Sequence, residues 1–241
     1  MGSSERGSII LGSVTAICVV FFWSGWIVIS RLGVTGHLTI FDLTGLRHGI
    51  GAVVALPYII WSRAWRGLTP WRTLILTLTA GAPYALLSYS GFIYAPAAHG
   101  GVFLNGCLPI FTTLFAWIWL GQRSRFSQMV GLVIILAGVT LVGYEGFLSS
   151  GGSMTWIGDL LFLAAIALFA LFMVANQVWS VNPGQVIFSI TIVPAVVYTP
   201  IWLLWLDSNL TSAPAAEIIL QGAYQGLVPS VVGISCLNIA V

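Results

Sequence analysis

Between Ala97 and Phe147 two apolar runs, roughly 97–120 and 127–147, are joined by the six-residue link Gly121–Phe126. Each run is about the 20 residues needed to cross roughly 30 Å of hydrocarbon. The link carries Arg123 and Arg125 and no acid, and Glu145 stands at the far end of the second run. The pattern predicts a transmembrane hairpin, with a basic turn on one side of a bilayer and an acidic end on the other.

The rest of the chain has the same character. Charged residues make up 6% of the 241 positions and hydrophobic ones 59%, with a mean hydropathy of +1.02. A soluble domain carries about 25% charged residues, so a chain this poor in charge reads as a multi-span, all-α integral membrane protein. The net charge is +2, there is no Lys and the eight Arg are scattered; nothing here calls for nucleic acid. Cys18, Cys107 and Cys236 lie singly inside apolar runs, a spacing that suits helix packing and neither a disulfide framework nor a metal site. No cofactor is implied. The first apolar run is longer than a signal-peptide core and lacks an A-x-A site, so it reads as a retained helix.

Taken in order, the runs predict helix 1 over about Ile9–Ser30, helix 2 over Leu38–Trp61, helix 3 over Thr73–Tyr94 and helices 4 and 5 in the hairpin. Helix 6 follows over about Trp156–Gln177, helix 7 over Gln185–Trp205 and helix 8 over Ile218–Val241. Arg47 falls near the middle of helix 2. A central Arg costs about 2.5–3.5 kcal/mol against roughly 0.3–0.6 gained per Leu-like residue, so it must face protein, snorkel or pair. Lining a cavity and bonding structurally between helices are both open to it. His48 is its neighbour. Trp23 and Trp26 sit in the second half of helix 1, on a helix whose Ser13, Ser24 and Arg31 form a thin polar stripe. Helix 3 carries Tyr84, Ser88, Tyr89, Ser90 and Tyr94 beside Pro83, where a kink is expected. Tyr84 and Tyr89 suit either packing or a cavity wall. His99 and Asn105 place polar groups in helix 4, and Pro109 lies mid-span.

Alternate helix ends divide the charges. One side collects Arg6, Arg63, Arg66, Arg72, Arg123 and Arg125; the other has Arg31 with Glu145, Asp159, Asp207 and Glu217. The positive-inside rule then puts the N-terminus in the cytoplasm. A Ser/Gly-rich link, 148–155, separates five helices (1–147) from three (156–241). Five is odd, so the second set starts from the opposite side and a second copy would be inverted. Laying Gly12 on Gly158 sets Trp23 on Phe169, Trp26 on Phe172 and Arg31 on Gln177; Arg47 falls on Val193. Inverted repeats with Gly- and Pro-broken helices at matching positions mark secondary transporters.

Several motifs carry a resemblance: FFWSGWIVISR in helix 1, TGLRHGIGA in helix 2, LPIFTTLFAWIWLGQRSRFSQMVGLVIILAGVTLV across the hairpin, Gly158–Asp159 opening helix 6, and Ala223–Tyr224–Gln225–Gly226 in helix 8. On these the chain resembles the EamA-type drug/metabolite transporter superfamily, whose fold is ten helices in two inverted five-helix repeats. The resemblance sets Arg47 on the family's helix-2 Arg, Pro109 on its helix-4 Pro, and Gly131 and Gly138 on its helix-5 glycines. Gln122 stands where the family usually has Glu. About eight of the expected ten helices are present, with the second repeat incomplete.

The resemblance implies an inverted-repeat helix bundle in the bacterial inner membrane. It would move small organic solutes or metabolites, amino-acid-like or drug-like, by alternating access. The cavity residues expected are Trp23, Trp26, Arg47, His48, Tyr84, Tyr89, His99, Asn105 and Gln225, with Arg47 placed to orient a carboxylate. If protons couple, His48 and His99 suit best, since an imidazole titrates near neutrality. The expected partners are the bilayer and a small-molecule substrate, with a homodimer left open. The alternative is a truncated, non-transporting membrane subunit or assembly partner. Enzyme motifs such as G-x-S-x-G and H-E-x-x-H are missing from the sequence, which sets an intramembrane enzyme aside.

Overall fold

A computed structural model describes residues 3–149 and 154–227. Cys236, the later part of helix 8 and the middle of the Ser/Gly link fall outside the described residues, as does the Ser13 side chain. The described residues are helical apart from short links, and the helices start and stop where local chemistry dictates.

The first helix, α1, runs Ser3–Thr35 and α2 runs Ile40–Ser62. A capping box opens α2: the Thr39 hydroxyl accepts from the Asp42 N–H and the Asp42 carboxylate from the Thr39 N–H, each at 3.0 Å. Arg63 closes it in the left-handed conformation, φ 50°. The predicted third span is two helices, α3 (Pro70–Ala80) and α4 (Ala82–Tyr94). The break falls at Gly81, with φ −90° and ψ −137°, and not at Pro83. Pro83 instead lies in the first turn of α4, where a missing N–H costs least.

The fourth span consists of α5 (Ala97–Gly100), a π segment (Gly101–Gly106) and α6 (Leu108–Leu120); α7 is Phe126–Ser149. Beyond the link come α8 (Thr155–Trp179), α9 (Pro183–Ile187), a second π segment (Phe188–Ile192), α10 (Val193–Trp205) and α11 (Ala215–Leu227). Each π segment ends just before a proline in the first turn of the next helix, Pro109 in α6 and Pro194 in α10. The proline lacks the N–H that would bond the carbonyl four residues back. Those carbonyls belong to Asn105 and Ile190, one inside each π segment. Wide turns of this kind are rare and occur often at functional sites.

Among the described residues, five helical stretches are long and apolar enough to cross a membrane: Ile40–Ser62, Ala97–Leu120, Phe126–Gly146, Thr155–Trp179 and Pro183–Trp205. The α3–α4 pair covers the predicted third span, interrupted at Gly81. Large apolar side chains point outward, Phe126 and Trp61 among the most exposed at 85% and 83%. This is an integral membrane helix bundle, whose outer surface suits acyl chains.

The chain forms two compact units: Met1–Gly67 with Asn182–Val241, and Leu68–Val181. Unit 1 thus holds α1, α2 and α9 to α11; unit 2 holds α3 to α8. Each draws on both sides of the Ser/Gly link. Unit 1 is built round α2, whose Ala55 and Ile59 pack with Ala64, Ile187 and Ile192. In unit 2, α4 lies on α8 with almost no gap. A Cβ on Gly158 would stand 2.7 Å from the Gly91 carbonyl oxygen, and Phe92 meets Phe162 edge-on at 4.7 Å.

Candidate functional site

Unit 1 holds Trp23, Trp26, Arg47, His48 and Gln225 of the expected cavity residues. Arg47 lies in the buried middle of α2, 7% exposed. Its guanidinium sits over the Trp26 ring of α1, 5.6 Å from the centroid, an attraction worth about 2 kcal/mol or more once both groups are desolvated.

The polar edge of Trp26 fixes a chain of bonds whose direction follows from chemistry. An indole N–H can only donate, so the Gln225 carbonyl oxygen accepts it, at 2.7 Å. The Gln225 amide then donates to the Ser30 hydroxyl at 3.1 Å and to the Gln221 carbonyl at 3.2 Å. That orients Gln221, whose amide donates to the Ile29 carbonyl of α1 at 2.9 Å. Gln221 and Gln225 are 1% and 0% exposed. They stand one turn apart on α11, a spacing visible in QGAYQG once both are known to face α1. Sequence reasoning named Gln225 and missed Gln221 and Ser30. Nearby, the Tyr224 hydroxyl donates to the Phe22 carbonyl at 3.0 Å.

His48 follows Arg47, so its side chain is rotated about 100° around α2. It lies beside the main chain of Ile190 in the second π segment. The ring is buried, and neither nitrogen is in hydrogen-bond geometry with another described residue. Buried polar groups are almost always bonded, so this imidazole has capacity for a further polar group. Trp23 is half-buried on α1 and Ser24 is exposed.

At the end of unit 1 beyond the Arg47 region, Asp42 is fully buried and accepts bonds from Trp202 Nε1 (3.0 Å), Ser208 Oγ (2.6 Å) and the Asn209 N–H (2.9 Å). It ties the loop after α10 to the start of α2. Glu217, in the first turn of α11, does the same for the link after α1. It accepts from the His37 and Leu38 N–H groups at 2.9 and 3.4 Å and pairs with His37 Nδ1 at 2.9 Å. Partial burial raises its pKa, but these bonds outweigh the burial and hold the carboxyl below its ordinary 4.5.

Unit 2 holds the other four expected residues. Tyr84 and Tyr89 are buried on α4, Tyr84 with its ring 5.2 Å from Phe169. Asn105 is exposed on the first π segment. His99 meets Asp159 of α8, Nδ1 to Oδ1 at 2.8 Å, a pairing that no spacing of the two residues along the chain suggests. At the basic turn, a cavity of about 430 Å³ is lined by Thr113, Gln122, Arg123, Ser124, Gln128 and Gln177. None of the nine expected residues lines it.

A model of the EamA-like transporter family matches residues 10–144. The chain belongs to the EamA-like transporter family. The match takes in most of α1, all of α2, the Gly81 break and the hairpin as far as residue 144, including Arg47 and Pro109. Among curated relatives, the uncharacterized transporter YvbV of Bacillus subtilis (strain 168) is 35% identical over 63 residues, 26% of this chain and 20% of its own length. Solute carrier family 35 member F6 of Homo sapiens is 35% identical over 79 residues, 31% of this chain and 21% of its own. This EamA-like chain therefore spans about a fifth of the length of each curated relative it matches. A solved crystal structure of another protein superposes with a TM-score of 0.65 at 20% identity, covering 97% of this chain and 79% of that one. It shares the fold.

Proposed function

We propose that this EamA-like protein carries small carboxylate-bearing organic solutes, amino-acid-like or drug-like, across the bacterial inner membrane by alternating access, with its N-terminus in the cytoplasm. The observation that carries this reading is Arg47, a cation buried in mid-span and stacked on the Trp26 ring. A charge held there at such cost is a functional feature by default. The guanidinium would take the carboxylate with charge-assisted bonds, Trp26 would supply an apolar wall, and the His48 ring would offer a further bond to a polar group of the solute.

The test is flux into proteoliposomes that contain the purified chain, with a panel of radiolabelled amino acids and other small carboxylic acids. Saturable uptake is expected. Because hydrogen bonds to charged groups are worth about 1.5–3 kcal/mol, Arg47→Gln should lower kcat/KM for the transported acid roughly 10- to 100-fold. Uptake that is unchanged in Arg47→Gln, or no uptake of any acid, would refute the assignment.

A further inference from the structure

We propose that His99 and Asp159 form a proton-binding site whose occupancy couples a pH gradient to the carrier cycle. The second half of that statement rests on the transport reading above; the first does not.

The geometry is that of a bonded, mostly covered pair. His99 Nδ1 stands 2.8 Å from Asp159 Oδ1, and the two side chains are 13% and 8% exposed. The imidazole is stacked on Phe103, 6.1 Å between centroids and 13° between planes. α7 also comes so close that a Cβ on Gly146 would stand 2.7 Å from His99 Cε1. Asp159 lies one turn into α8, after the buried Thr155, and its neighbour Gly158 is pressed against Ala95 and Gly91. The pair is thus gripped by four elements and retains a small exposed area, larger on the imidazole.

The charged groups around it are few. Glu145, next to Gly146 on α7, is exposed and is the only other acid in unit 2; Thr155 is the neutral polar residue beside it on α8. The arginines of unit 2, Arg72, Arg123 and Arg125, all lie at the far ends of the spans that begin or end near His99. No second cation stands by to balance the carboxylate. The pair itself must therefore set the local charge.

Its proton count then decides its electrostatics. With a neutral imidazole and an ionised carboxyl the pair carries one negative charge. Uptake of one proton from water at the imidazole leaves it with none, whether the proton stays on the ring or is shared along the Nδ1···Oδ1 bond. Release returns the proton to water; no electrons move. Net charge is costly in a low-dielectric surrounding and cheap in water. The occupancy of the pair is therefore linked to whether its end of the bundle is open or closed, which is what a coupling ion requires. The spans whose ends meet here are also interrupted ones: α4 begins at the Gly81 break, and His99 directly precedes a π segment.

Nitrogen-15 NMR of ring-labelled histidine in the purified protein reads the first half directly. There are three His in the chain, and His99→Gln identifies the His99 signals. The expected result is a reversible His99 titration, moved by about one pH unit or more in Asp159→Asn. A His99 ring that keeps one protonation state from pH 4 to 9, or whose titration ignores Asp159→Asn, overturns the proposal. The second half is read in proteoliposomes by the ratio of acid uptake with and without an imposed one-unit pH gradient. Such a gradient can drive about tenfold accumulation per proton coupled. The native protein should respond towards that limit and Asp159→Asn should give a ratio near one. Equal ratios in the two proteins overturn the coupling. A chain that moves no acid but still titrates jointly at His99 and Asp159 would sink the carrier reading of Arg47 and leave the proton site standing.

Discussion

At the scale of single residues, the sequence shows which side chains are costly but not where they point. Arg47 could be picked out because a mid-span Arg is expensive wherever it faces. Trp26 and Gln225 could be named as polar or aromatic groups in apolar runs. Their mutual bond could not, because α1 and α11 meet across about 200 residues of chain and α1 has no strong periodic face to show which side meets a partner. Asp159 stands in the sequence as an acid near a helix end, with nothing to show that it is buried and bonded, as Asp42 also is. Glu217 offers the simplest test at this scale. Its carboxyl is held below its ordinary 4.5 by bonds from His37 and Leu38. A depressed carboxyl pKa means the ionised form stabilises the fold, fully above about pH 4.5 and less and less as the pH falls through the lowered value. Hydrogen exchange of the His37 and Leu38 amides should therefore accelerate on acidification below that point, and Glu217→Gln should remove the transition. Amides protected equally at pH 3 and pH 6 would show that the link is held by something else.

Helices were the most legible level. Each of the eight predicted spans has a helical counterpart among the described residues, helix 8 as far as Leu227, since long apolar runs with short polar links leave few choices. What the sequence concealed was how spans are interrupted. Pro83 advertised a kink, yet the chain breaks two residues earlier at Gly81, since a proline is well tolerated in a helix's first turn and a glycine is free to end one. The π segments ahead of Pro109 and Pro194 have no sequence mark beyond the prolines themselves. Close packing gives a graded prediction. On Gly158 a Cβ would stand 2.6 Å from Ala95 Cβ and 2.7 Å from the Gly91 carbonyl oxygen, so backbone would have to move. On Gly25 the obstacle is the hydroxyl end of the Tyr224 side chain, which can swing away. Gly158→Ala should cost about 1–3 kcal/mol and Gly25→Ala clearly less, read as thermal unfolding in one detergent. The reverse order would show that α4 and α8 are not held at backbone distance.

For the molecule as a whole, family membership was readable from motifs and membrane residence from composition. The division into two compact units was not. It places α1 and α2 with α9 to α11, an exchange between the two sides of the Ser/Gly link that no local pattern announces. Orientation remains the property charge counting speaks to most directly. With Cys18, Cys107 and Cys236 replaced by Ser, a membrane-impermeant maleimide should label Asp207→Cys in intact cells and Arg66→Cys only after permeabilisation. The opposite pattern would invert the proposed topology.

The interruption at Gly81 has an electrical meaning. A continuous helix keeps its partial charges at the two water-exposed ends; α3 and α4, with 11 and 13 residues, are each roughly half a bilayer long. One therefore terminates, and the next begins, in the middle of the hydrocarbon layer. The negative end of α3 and the positive end of α4, each at most about half an elementary charge, therefore face each other across Gly81. The break gives unit 2 a compact local dipole at Gly81, with no charged side chain spent on it.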